Sequence, residues 1–572
     1  MNNAQYADIL ESIATLRQIR GDSPFKSRAF ENAARSIRKM PEKIEELIDE
    51  GFDLTSLDGI GKSISGELHK IHETGESPTH KELLANFPDG ILELTRVEGL
   101  GPKRIKLLYD ELGICDLASL EIAAEAGQIS ALPGLGQKTE DKIKSEVIRL
   151  KNTSVDRIPL PLARAAGESI VAALSKLDCI QKIEIAGSIR RGRETSKDID
   201  ILVASKDYTL VFDTFVGLKE VDNILVRGDT KTSVRLKSGT QVDVRVVELW
   251  QFGAALHYFT GSKEHNIQIR SRAKKMGLRI NEYGVLRLSD EEYIASKTEE
   301  DIFGAIGLPW IAPELREGGD EIENALNGKL PELIDKTSVM GDLHMHTLES
   351  DGRNTIPEMI EKAKSLGYTY IAITDHSAFV PVTGGMTADR FAAQIEEIRK
   401  ENEKHSDFTL LAGIEVDILS DGSLDMDLEL LKVCDWVVGS IHSGMNMKKE
   451  NMNQRLLTAM HSGYLNAFGH PTGRILGGRK GYDYDLDLIL GAAIENKIAF
   501  EMNGSTGRLD LNAEMAKYVS QKGAMVVLGS DAHSTRGLDE MRYAIQQSRR
   551  AEIPKSKILN SLSAADLLLA TR

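Results

Sequence analysis

The spacing of hydrophobic and polar residues changes character twice along the chain. Up to about residue 150, apolar residues recur at helical intervals, which predicts a series of helices. From Ile180 the chain turns to short alternating runs such as KIEIAGS and QVDVRVVEL, which predict an α+β unit. After Met340, apolar strands alternate with helical stretches, and this alternation predicts a parallel, barrel-like α/β architecture.

Length and composition limit the classes of protein to which the chain can belong. Its 572 residues allow about three to four domains, so several activities can coexist. The sequence is 41% hydrophobic and 28% charged and has no apolar run near the ~18 residues of a membrane span, so we expect a soluble protein that does not associate with membranes. The polar, amphipathic start does not have the layout of a signal peptide, which favours a cytoplasmic location.

The net charge and the cysteine content exclude further classes of protein and kinds of site. The formal net charge of −16 argues against a protein that coats nucleic acid by bulk electrostatics. Two segments, 12–43 and 263–287, are nevertheless locally basic, and each could be a nucleic-acid footprint or an ordinary solvated helix face. Cys115, Cys179 and Cys434 lie far apart, so we expect neither a disulfide framework nor a zinc ribbon.

A short glycine pattern occurs three times in the helical part, each time just before a helical run. The glycine pairs are Gly59 and Gly61, Gly99 and Gly101, and Gly134 and Gly136. Glycines permit a tight turn, and the following helix offers free N–H groups and a positive dipole end to a phosphate. Lys103, Arg104 and Lys138 follow directly and add positive charge. One such turn is a weak signal, but the triplet resembles helix-hairpin-helix modules, which bind DNA backbone without reading sequence.

Three aspartates are spaced to bind metal ions in the α+β unit. Asp198 and Asp200 are two apart in a predicted strand and therefore face one side, and Asp243 lies in a second strand with the same alternation. Converging carboxylates need cations, and hard oxygen ligands suit Mg²⁺. Two such ions support phosphoryl transfer. The Asp-x-Asp spacing alone is more often a surface turn or a calcium loop.

The residues just upstream of these aspartates favour a triphosphate. Gly187 and Ser188 form a small hydrogen-bonding turn, and Arg190, Arg191 and Arg193 follow. Together with the aspartates, this segment resembles the palm of family X DNA polymerases, the polymerase beta-like nucleotidyltransferases. The resemblance continues through the YFTGS motif at 258–262 and the thumb-like INEYGVL at 280–286, and it covers about residues 1 to 316.

The resemblance implies a role for each of these positions. Ser188 and Arg191 would hold the triphosphate, Asn266 and Arg270 would face the incoming base and the template, and Asp243 would help to activate the primer 3′-hydroxyl. The implied nucleotide-binding residues are Gly187, Ser188, Arg191, Tyr258, Phe259, Gly261, Asn266 and Arg270. Residues 258–261 would pack against the sugar and disfavour ribose. The implied cofactor is Mg²⁺ or Mn²⁺, and the implied partners are gapped or primer–template DNA and deoxynucleoside triphosphates.

Two positions depart from the family pattern. Where lyase-active members carry a lysine that forms a Schiff base with an abasic sugar, this chain has Glu67, and a carboxylate cannot form an imine. Another amine such as Lys62 or Lys70 could substitute, although nothing in the sequence favours either. Gln241 stands where polymerase beta has an arginine, which removes a cation near the primer terminus.

A second candidate metal site lies after Met340, where polar residues follow the predicted strands. Its residues are His344, His346, Asp351, His376, Glu415, His442, His470, Asp531 and His533. His344 and His346 alternate in DLHMH, and Asp531 and His533 alternate in GSDAH, so each pair is expected to face one side of a strand. The carboxyl ends of strands gather functional residues at the mouth of a βα barrel. A lone histidine is more often structural, but six histidines and three carboxylates at successive strand ends indicate a metal centre. Imidazole and carboxylate ligands together suit Zn²⁺, Mn²⁺ or Fe²⁺.

This second pattern resembles the polymerase and histidinol phosphatase (PHP) domain, whose members use a trinuclear site. The resemblance assigns the first ion to His344, His346, Glu415 and Asp531. The second ion would share Glu415 with His442 and His470, and the third would take Asp351, His376 and His533. Such ions activate water for attack on phosphorus.

Together the patterns predict a multidomain chain. The predicted segments are a helix-hairpin-helix domain at 1–90, a fingers-like helical subdomain at 91–150, an α+β nucleotidyltransferase palm at 151–260, a thumb at 261–316, a linker at 317–339 and a distorted TIM-like (β/α)7 PHP barrel at 340–572.

The leading hypothesis is a bacterial family X DNA polymerase that fills gaps in DNA repair, with a PHP-domain 3′–5′ exonuclease, acting as a monomer. One alternative makes the PHP domain a small-molecule phosphatase. A non-enzymatic alternative is that the first part only binds gapped DNA while the metal site only stabilises the fold.

Overall fold

The structure is a computed structural model, and it describes residues 3–40, 44–57, 59–88, 90–97, 99–152, 157–380 and 383–571. The end of the first basic segment at 41–43 and part of the predicted start of the palm at 153–156 lie outside the described residues. The chain divides into two compact units, Met1–Val155 and Asp156–Arg572, and each is described by itself.

The first unit is helical, as the sequence periodicity predicts. Its helices are α1 (Asn3–Arg20), α2 (Pro24–Lys39), α3 (Ile44–Asp49), α4 (Lys62–Thr74), α5 (Pro78–Leu84), α6 (Pro102–Leu112), α7 (Leu117–Glu125) and α8 (Gln137–Asn152). Helix α1 packs along α2, and Leu10, Ile37 and Leu68 are fully buried in one shared core.

The three glycine pairs each precede a helix in this unit. Gly59, Gly99 and Gly134 have φ angles of +75°, +92° and +76°, a region that only glycine adopts readily. The second glycine of each pair lies immediately before α4, α6 or α8. Each turn therefore leads directly into a helix start, where the first backbone N–H groups have no partner within the helix, as the sequence pattern predicts.

The second unit begins with a mixed five-stranded sheet in the order β2-β4-β7-β6-β5. Its strands and the short pair β1–β3 are β1 (Ile158–Pro159), β2 (Ile180–Ile185), β3 (Thr195–Ser196), β4 (Asp198–Ser205), β5 (Val221–Arg227), β6 (Lys231–Leu236) and β7 (Gln241–Val247). The associated helices are α9 (Leu160–Leu174), α10 (Gly187–Arg190), α11 (Tyr208–Val216) and α12 (Phe252–Thr260). The valines and isoleucines of β4 and β7 are buried between these helices and the sheet.

A smaller subdomain follows, with an antiparallel sheet in the order β10-β9-β8. It comprises α13 (Lys263–Lys275), β8 (Leu278–Asn281), β9 (Gly284–Arg287), β10 (Tyr293–Ala295), α14 (Glu299–Ala305) and α15 (Glu321–Leu326). Helix α15 lies within the segment predicted as a linker, and its Glu321 Oε1 is 2.8 Å from His265 Nδ1 of α13. This segment is thus packed against the subdomain through a buried pair.

The rest of the second unit is a barrel of seven parallel strands in sequential order. The strands are β11 (Gly341–Asp342), β12 (Tyr370–Ile373), β13 (Thr409–Asp417), β14 (Trp436–Ser440), β15 (Ala467–Phe468), β16 (Ala499–Asn503) and β17 (Val526–Gly529). A parallel bridge between Met345 and Ala532 joins the two edges beyond β11 and β17. The predicted (β/α)7 fold is therefore confirmed.

Helices and alternating side chains complete the barrel. The helices are α16 (Ile356–Ser365), α17 (Ala388–Asn402), α18 (Leu428–Val433), α19 (Lys449–Met460), α20 (Leu486–Glu495), α21 (Ala513–Gln521), α22 (Met541–Arg550) and α23 (Ala564–Ala570). Tyr370 and Ala372 of β12 belong to one buried cluster, whereas Ile371 and Ile373 belong to another. This period-two alternation fixes which face each later residue of a strand occupies.

Among the described residues, no helix combines the length and the apolar character that a membrane crossing requires. Cys115, Cys179 and Cys434 are half-buried and free of disulfides.

Candidate metal and nucleotide sites

The three aspartates of the α+β unit meet because β4 and β7 are parallel neighbours. Asp200 is directly opposite Asp243 in the register, and Asp198 lies two residues before Asp200 on the same face. Burial, with the carboxylates of Asp198 and Asp243, raises the pKa of Asp200 to about 7. Burial and Asp243 also raise the pKa of Asp198. The carboxylates repel one another, which is the electrostatic condition that favours divalent cations.

Asp243 differs from its two neighbours because it has a positive partner. Lys231 Nζ of the adjacent strand β6 forms an ion pair with Asp243, and Gln241 Nε2 donates to Asp243 Oδ1 at 3.0 Å. Burial raises the pKa of Asp243, but bonds from Lys231, Ser233 and Gln241 outweigh it and lower the pKa overall. The sequence interpretation missed Lys231, because its contact with Asp243 depends on the pairing of β6 with β7.

The glycine turn before β4 lies against this carboxylate group. Gly187 has a φ of +60°, and a Cβ at this position would collide with Asp200 Oδ2. A larger residue would therefore displace the carboxylate. Ser188 Oγ is 2.6 Å from Ser196 Oγ, which ties the turn to the adjacent strand β3.

All eight predicted nucleotide-binding residues line one pocket of about 390 Å³. The pocket also contains Asp198 and Asp200. Its lining residues are Gly187, Ser188, Arg191, Asp198, Asp200, Tyr258, Phe259, Thr260, Gly261, Lys263, Asn266 and Arg270. The structure thus brings together residues 187–200 and 258–270, which are well separated in the sequence.

The aromatic side of the pocket is built by the end of α12 and the start of α13. Tyr258 and Phe259 lie in the last turn of α12, and Gly261 follows with a φ of +69°. Asn266 Nδ2 donates to the backbone oxygen of Tyr258 at 2.8 Å. Arg245 lies over the Phe259 ring, 4.2 Å from its centroid, and supports it from the sheet.

The predicted polar residues of the barrel converge at the carboxyl ends of its strands. Alternation along β13 and β14 carries Glu415 and His442 to the inner face, in phase with the buried Leu411 and Trp436. Glu415 lies two residues before the end of β13 and is 1% exposed. Because the strands are short, several ligands lie just beyond them rather than within them.

One part of the sequence interpretation of this site is wrong. Asp531 and His533 were expected on alternate positions of a strand, but β17 ends at Gly529 and Asp531 has a φ of +55°. The backbone N–H of Asp531 instead donates to the carbonyl of His344 at 2.9 Å. The hydrogen bonds that close the barrel therefore set the orientation of the Asp531 and His533 side chains. The spacing of apolar and polar residues in the sequence could not predict this orientation.

Glu415 lies at the centre of the histidine group. Its nearest ring nitrogens are His376 Nδ1 at 2.9 Å, His470 Nε2 at 2.9 Å, His344 Nε2 at 3.4 Å, His442 Nε2 at 3.5 Å and His346 Nε2 at 3.7 Å. One carboxylate is thus close to five imidazoles, and Glu415 would be the ligand that two cations share in the predicted ligand sets.

Three groups of donor atoms, each within a 4.8 Å span, occur among the described residues, and all are in the barrel. They are His344, His346 and Asp531; His376, Glu415 and His442; and His346, Asp351, His376 and His533. The third contains the whole predicted third ligand set. His470 is outside these groups but contacts Glu415, as described above.

The donor atoms have the burial and charge that a metal centre needs. His344 Nε2, His346 Nδ1 and Glu415 Oε2 are buried without a hydrogen bond among the described residues, which is costly unless a cation binds them. Burial, with His533 and His376, lowers the pKa of His346 to about 4, so its ring is neutral and can coordinate. The pKa of His533 is raised to about 10, because Asp351 outweighs burial. A metal would displace that proton.

Further residues, which the sequence interpretation did not identify, orient the ligands. Glu501 Oε1 of β16 lies 2.6 Å from His344 Nδ1, and Glu501 Oε2 accepts from the backbone N–H of His470 at 2.5 Å. Asp417 Oδ1 lies 3.3 Å from His442 Nδ1. Such outer contacts fix imidazole orientation. Glu501 could have been found by extending the inward alternation of β16 from Ala499.

The predicted DNA contacts of the helical unit are at its surface. Lys103, Arg104 and Lys138 are exposed at the starts of α6 and α8. Arg104 Nη1 donates to the carbonyl of Gly99 at 2.7 Å, which braces the glycine turn. The helix starts can therefore present N–H groups and positive charge to the same anion.

Glu67 is buried, and both of its carboxylate oxygens accept hydrogen bonds. It accepts hydrogen bonds from the Ser77 hydroxyl, from Thr79 Oγ1 at 2.8 Å and from Thr79 N at 3.3 Å. Ser77 is also the N-cap of α5, where its side chain accepts from His80 N. The carboxylate at the position of the lyase lysine thus anchors a helix start.

Known families match most of the chain in the order that the sequence predicts. Residues 1–77 match a helix-hairpin-helix domain, and residues 91–147 match a SAM-like helix-hairpin-helix tandem. Residues 157–232 match the DNA polymerase beta palm, 255–317 the DNA polymerase beta thumb and 342–505 the PHP domain.

Curated relatives extend this match to nearly the full length. The chain is 37% identical over 569 residues to the DNA polymerase/3′-5′ exonuclease PolX of Bacillus subtilis (strain 168), and the match covers 99% of each chain. It is 26% identical over 235 residues to a probable phosphatase of Aliivibrio fischeri, covering 38% of this chain and 87% of that relative. A probable phosphatase of Photobacterium profundum is 27% identical over 236 residues, with 40% and 91% covered. The chain therefore belongs to the bacterial family X DNA polymerases with a PHP domain.

Proposed function

We propose that the chain is a DNA-directed DNA polymerase that adds deoxynucleotides at gaps or primer ends in repair, and that its PHP domain is a 3′–5′ exonuclease. The observation that carries the polymerase activity is the single pocket that contains Asp198, Asp200 and all eight nucleotide-binding positions. The full-length relative combines the same two activities in its name.

The three palm aspartates, Asp198, Asp200 and Asp243, bind the catalytic Mg²⁺ or Mn²⁺. When bound, these ions neutralise the triphosphate and activate the primer hydroxyl. The raised pKa of Asp200 and the mutual repulsion of the carboxylates support this role. Lys231 holds Asp243 through an ion pair and so limits the repulsion before the ions arrive.

The remaining pocket residues orient the nucleotide. Ser188 and Arg191 hold the phosphates beside the Gly187 turn. The last turn of α12 and the Gly261 that follows it pack against the sugar and disfavour a 2′-hydroxyl. Asn266 and Arg270, one helical turn apart on α13, face the base and the template.

The nine polar residues at the mouth of the barrel bind up to three Zn²⁺, Mn²⁺ or Fe²⁺ ions. Such ions supply activated water and hold a phosphate oxygen when bound. The buried donor atoms without hydrogen bonds and the central position of Glu415 support this set of ligands. Glu501 and Asp417 keep the rings of His344 and His442 oriented.

The helical unit supplies DNA affinity through its three glycine turns and through Lys103, Arg104 and Lys138. Backbone contacts of this kind position DNA without reading its sequence. A linked exonuclease then acts on primer ends at high effective concentration. These substrates imply a cytoplasmic location.

Two assays test the proposal. Purified protein with Mg²⁺ or Mn²⁺ should fill a one-nucleotide gap, and no extension of primed or gapped DNA would reject the polymerase assignment. In the absence of nucleotides, Mn²⁺ should support degradation of a labelled single strand from its 3′ end.

The His344→Ala variant separates the exonuclease from contaminating nucleases. We expect it to lose degradation while gap filling stays measurable, because His344 lies in the barrel group and not in the palm pocket. Hydrolysis of a small phosphomonoester without any degradation of DNA would favour the small-molecule phosphatase reading instead.

A further inference from the structure

Helix α22 of the barrel lies against the turn that precedes β4 in the palm. Gln546 Nε2 donates to the carbonyls of Ile189 and Arg190, both at 3.2 Å, and Gln547 Nε2 donates to the carbonyl of Gly192 at 2.8 Å. Three carbonyls of this palm turn are thus bound by two side chains of the PHP domain.

This contact is tight and buried. Gln546 is 9% exposed and Gln547 is 1% exposed. Gly192 has a φ of +71°, and a Cβ there would lie 2.7 Å from Gln546 Cγ, so glycine permits the close approach. Arg164 Nη2 of α9 donates to Gln546 Oε1 at 2.8 Å and fixes the amide from the palm side. The amide orientation is therefore determined by partners on both sides.

A second connection reaches Arg191, which lines the nucleotide pocket. Arg191 Nε donates to Glu317 Oε1 at 3.0 Å, and Arg550 Nη1 of α22 donates to the same oxygen at 2.7 Å. Arg550 Nη1 also donates to the backbone carbonyl of Arg191 at 3.2 Å. Glu317 is thus held between a barrel arginine and the pocket arginine. Arg191 Nη1 donates to the carbonyl of Thr260, so two separate nitrogens of the guanidinium are held.

We infer that α22 of the PHP domain is part of the polymerase's nucleotide-binding apparatus, with Gln546, Gln547 and Arg550 as positioning residues for the 187–193 turn and for Arg191. The inference rests on the proposed function of that pocket. A turn that is already fixed loses less conformational freedom when it binds a triphosphate, and this increases affinity. Glu317 and the Thr260 carbonyl hold Nε and Nη1 of Arg191, so the position of this side chain in the pocket is fixed before a nucleotide binds.

Point variants of the full chain test this role by steady-state gap filling with varied deoxynucleotide concentration. We expect Gln547→Ala to raise the KM for the nucleotide about fivefold, the usual effect of one hydrogen bond, with a smaller change in kcat. Arg550→Ala should raise it about tenfold or more, because it removes a charged pair. Arg550→Lys should restore part of the loss. The 3′–5′ exonuclease rate on single-stranded DNA should stay within about twofold of the starting protein.

Arg542→Ala is the matched control. Arg542 lies on the same helix and pairs with Glu168 of the palm at 3.0 Å, but it does not contact the turn. Its loss should leave the nucleotide KM unchanged. Thermal unfolding of each variant reports folding independently of activity.

Unchanged nucleotide KM in both Gln547→Ala and Arg550→Ala would overturn the inference while leaving the proposed function intact, provided that the starting protein fills gaps. Equal loss of polymerase and exonuclease rates in a folded variant would also overturn it, because that result indicates general loosening. If Gln547→Ala does not fold, Arg550→Ala and Arg550→Lys decide the outcome alone.

Discussion

The palm and the barrel present two different ways of holding negative charge for divalent cations. In the palm, the half-buried Asp198 and Asp200 line one pocket, and Lys231 of the protein itself offsets the charge of the neighbouring, buried Asp243. In the barrel, Glu415 is 1% exposed and is surrounded by imidazoles at 2.9 to 3.7 Å. The first arrangement can persist without an ion, whereas the second leaves buried donors without hydrogen bonds.

This difference suggests two kinds of metal binding in one chain. Hard oxygen ligands in an open pocket suit Mg²⁺, which keeps several waters and arrives with a nucleotide. Nitrogen and oxygen ligands in a closed site suit tightly held ions that contribute to stability. The palm ions should therefore exchange during turnover, and the barrel ions should remain resident.

The largest expected effect is the loss of gap filling when a carboxylate of the palm is replaced. Asp200→Asn keeps the size of the side chain but removes a central negative charge, so we expect gap filling to fall about a thousandfold. Exonuclease activity should stay near that of the unaltered protein, since the barrel contains its own donor groups. Residual gap filling within about tenfold of the starting protein would contradict the assigned role of Asp200.

Removal of the bound metal ions should distinguish the barrel from the palm by its effect on the thermal stability of the chain. Prolonged chelation followed by dialysis should lower the thermal midpoint of the chain, because resident ions at about a hundred times their Kd contribute ~2.7 kcal/mol. Restoring Mn²⁺ or Zn²⁺ should recover the midpoint, while Mg²⁺ alone should not. Calorimetry with metal analysis measures both quantities, and an identical midpoint before and after complete metal loss would refute a resident barrel site.

A smaller effect should appear in the pH dependence of palm metal binding. The pKa of Asp200 is raised to about 7, so below that pH the carboxyl group is protonated and an incoming cation must displace the proton. Affinity for Mn²⁺ should fall by about tenfold for each pH unit below 7 and level off above it. Titration of the starting protein and of Asp200→Asn with Mn²⁺ at pH 6 and pH 8 gives the palm affinity by difference, and equal palm affinities at the two pH values would contradict this expectation.

Sequence patterns predicted much of this molecule because the periodicity of apolar residues and the positions of glycines determine local structure. The Asp198 and Asp200 spacing determined their common face, and each glycine pair determined a helix start. The same reasoning located the polar residues of the barrel near strand ends. It failed for Asp531, whose left-handed backbone depends on hydrogen bonds to His344 across the barrel closure.

Contacts between distant segments were also beyond the sequence argument. Lys231 reaches Asp243 only because β6 lies beside β7, and Gln547 reaches Gly192 across 355 residues of chain. Strand order and domain packing are global properties, and neither residue belongs to a recognisable local motif. The division into six segments and the monomeric state stay predictions.

The buried Glu67 has a consequence for any attempt to engineer this chain. A lysine at this position would replace an acceptor by a donor, so the Ser77 and Thr79 hydroxyls would have to turn to accept from the ammonium and the Thr79 N–H would lose its acceptor. The turned Ser77 hydroxyl and the unpaired Thr79 N–H would weaken the start of α5 at the same time. Changing residue 67 alone would thus damage the scaffold, and an abasic-sugar lyase could be introduced at this position only by redesigning the Ser77–Thr79 segment with it.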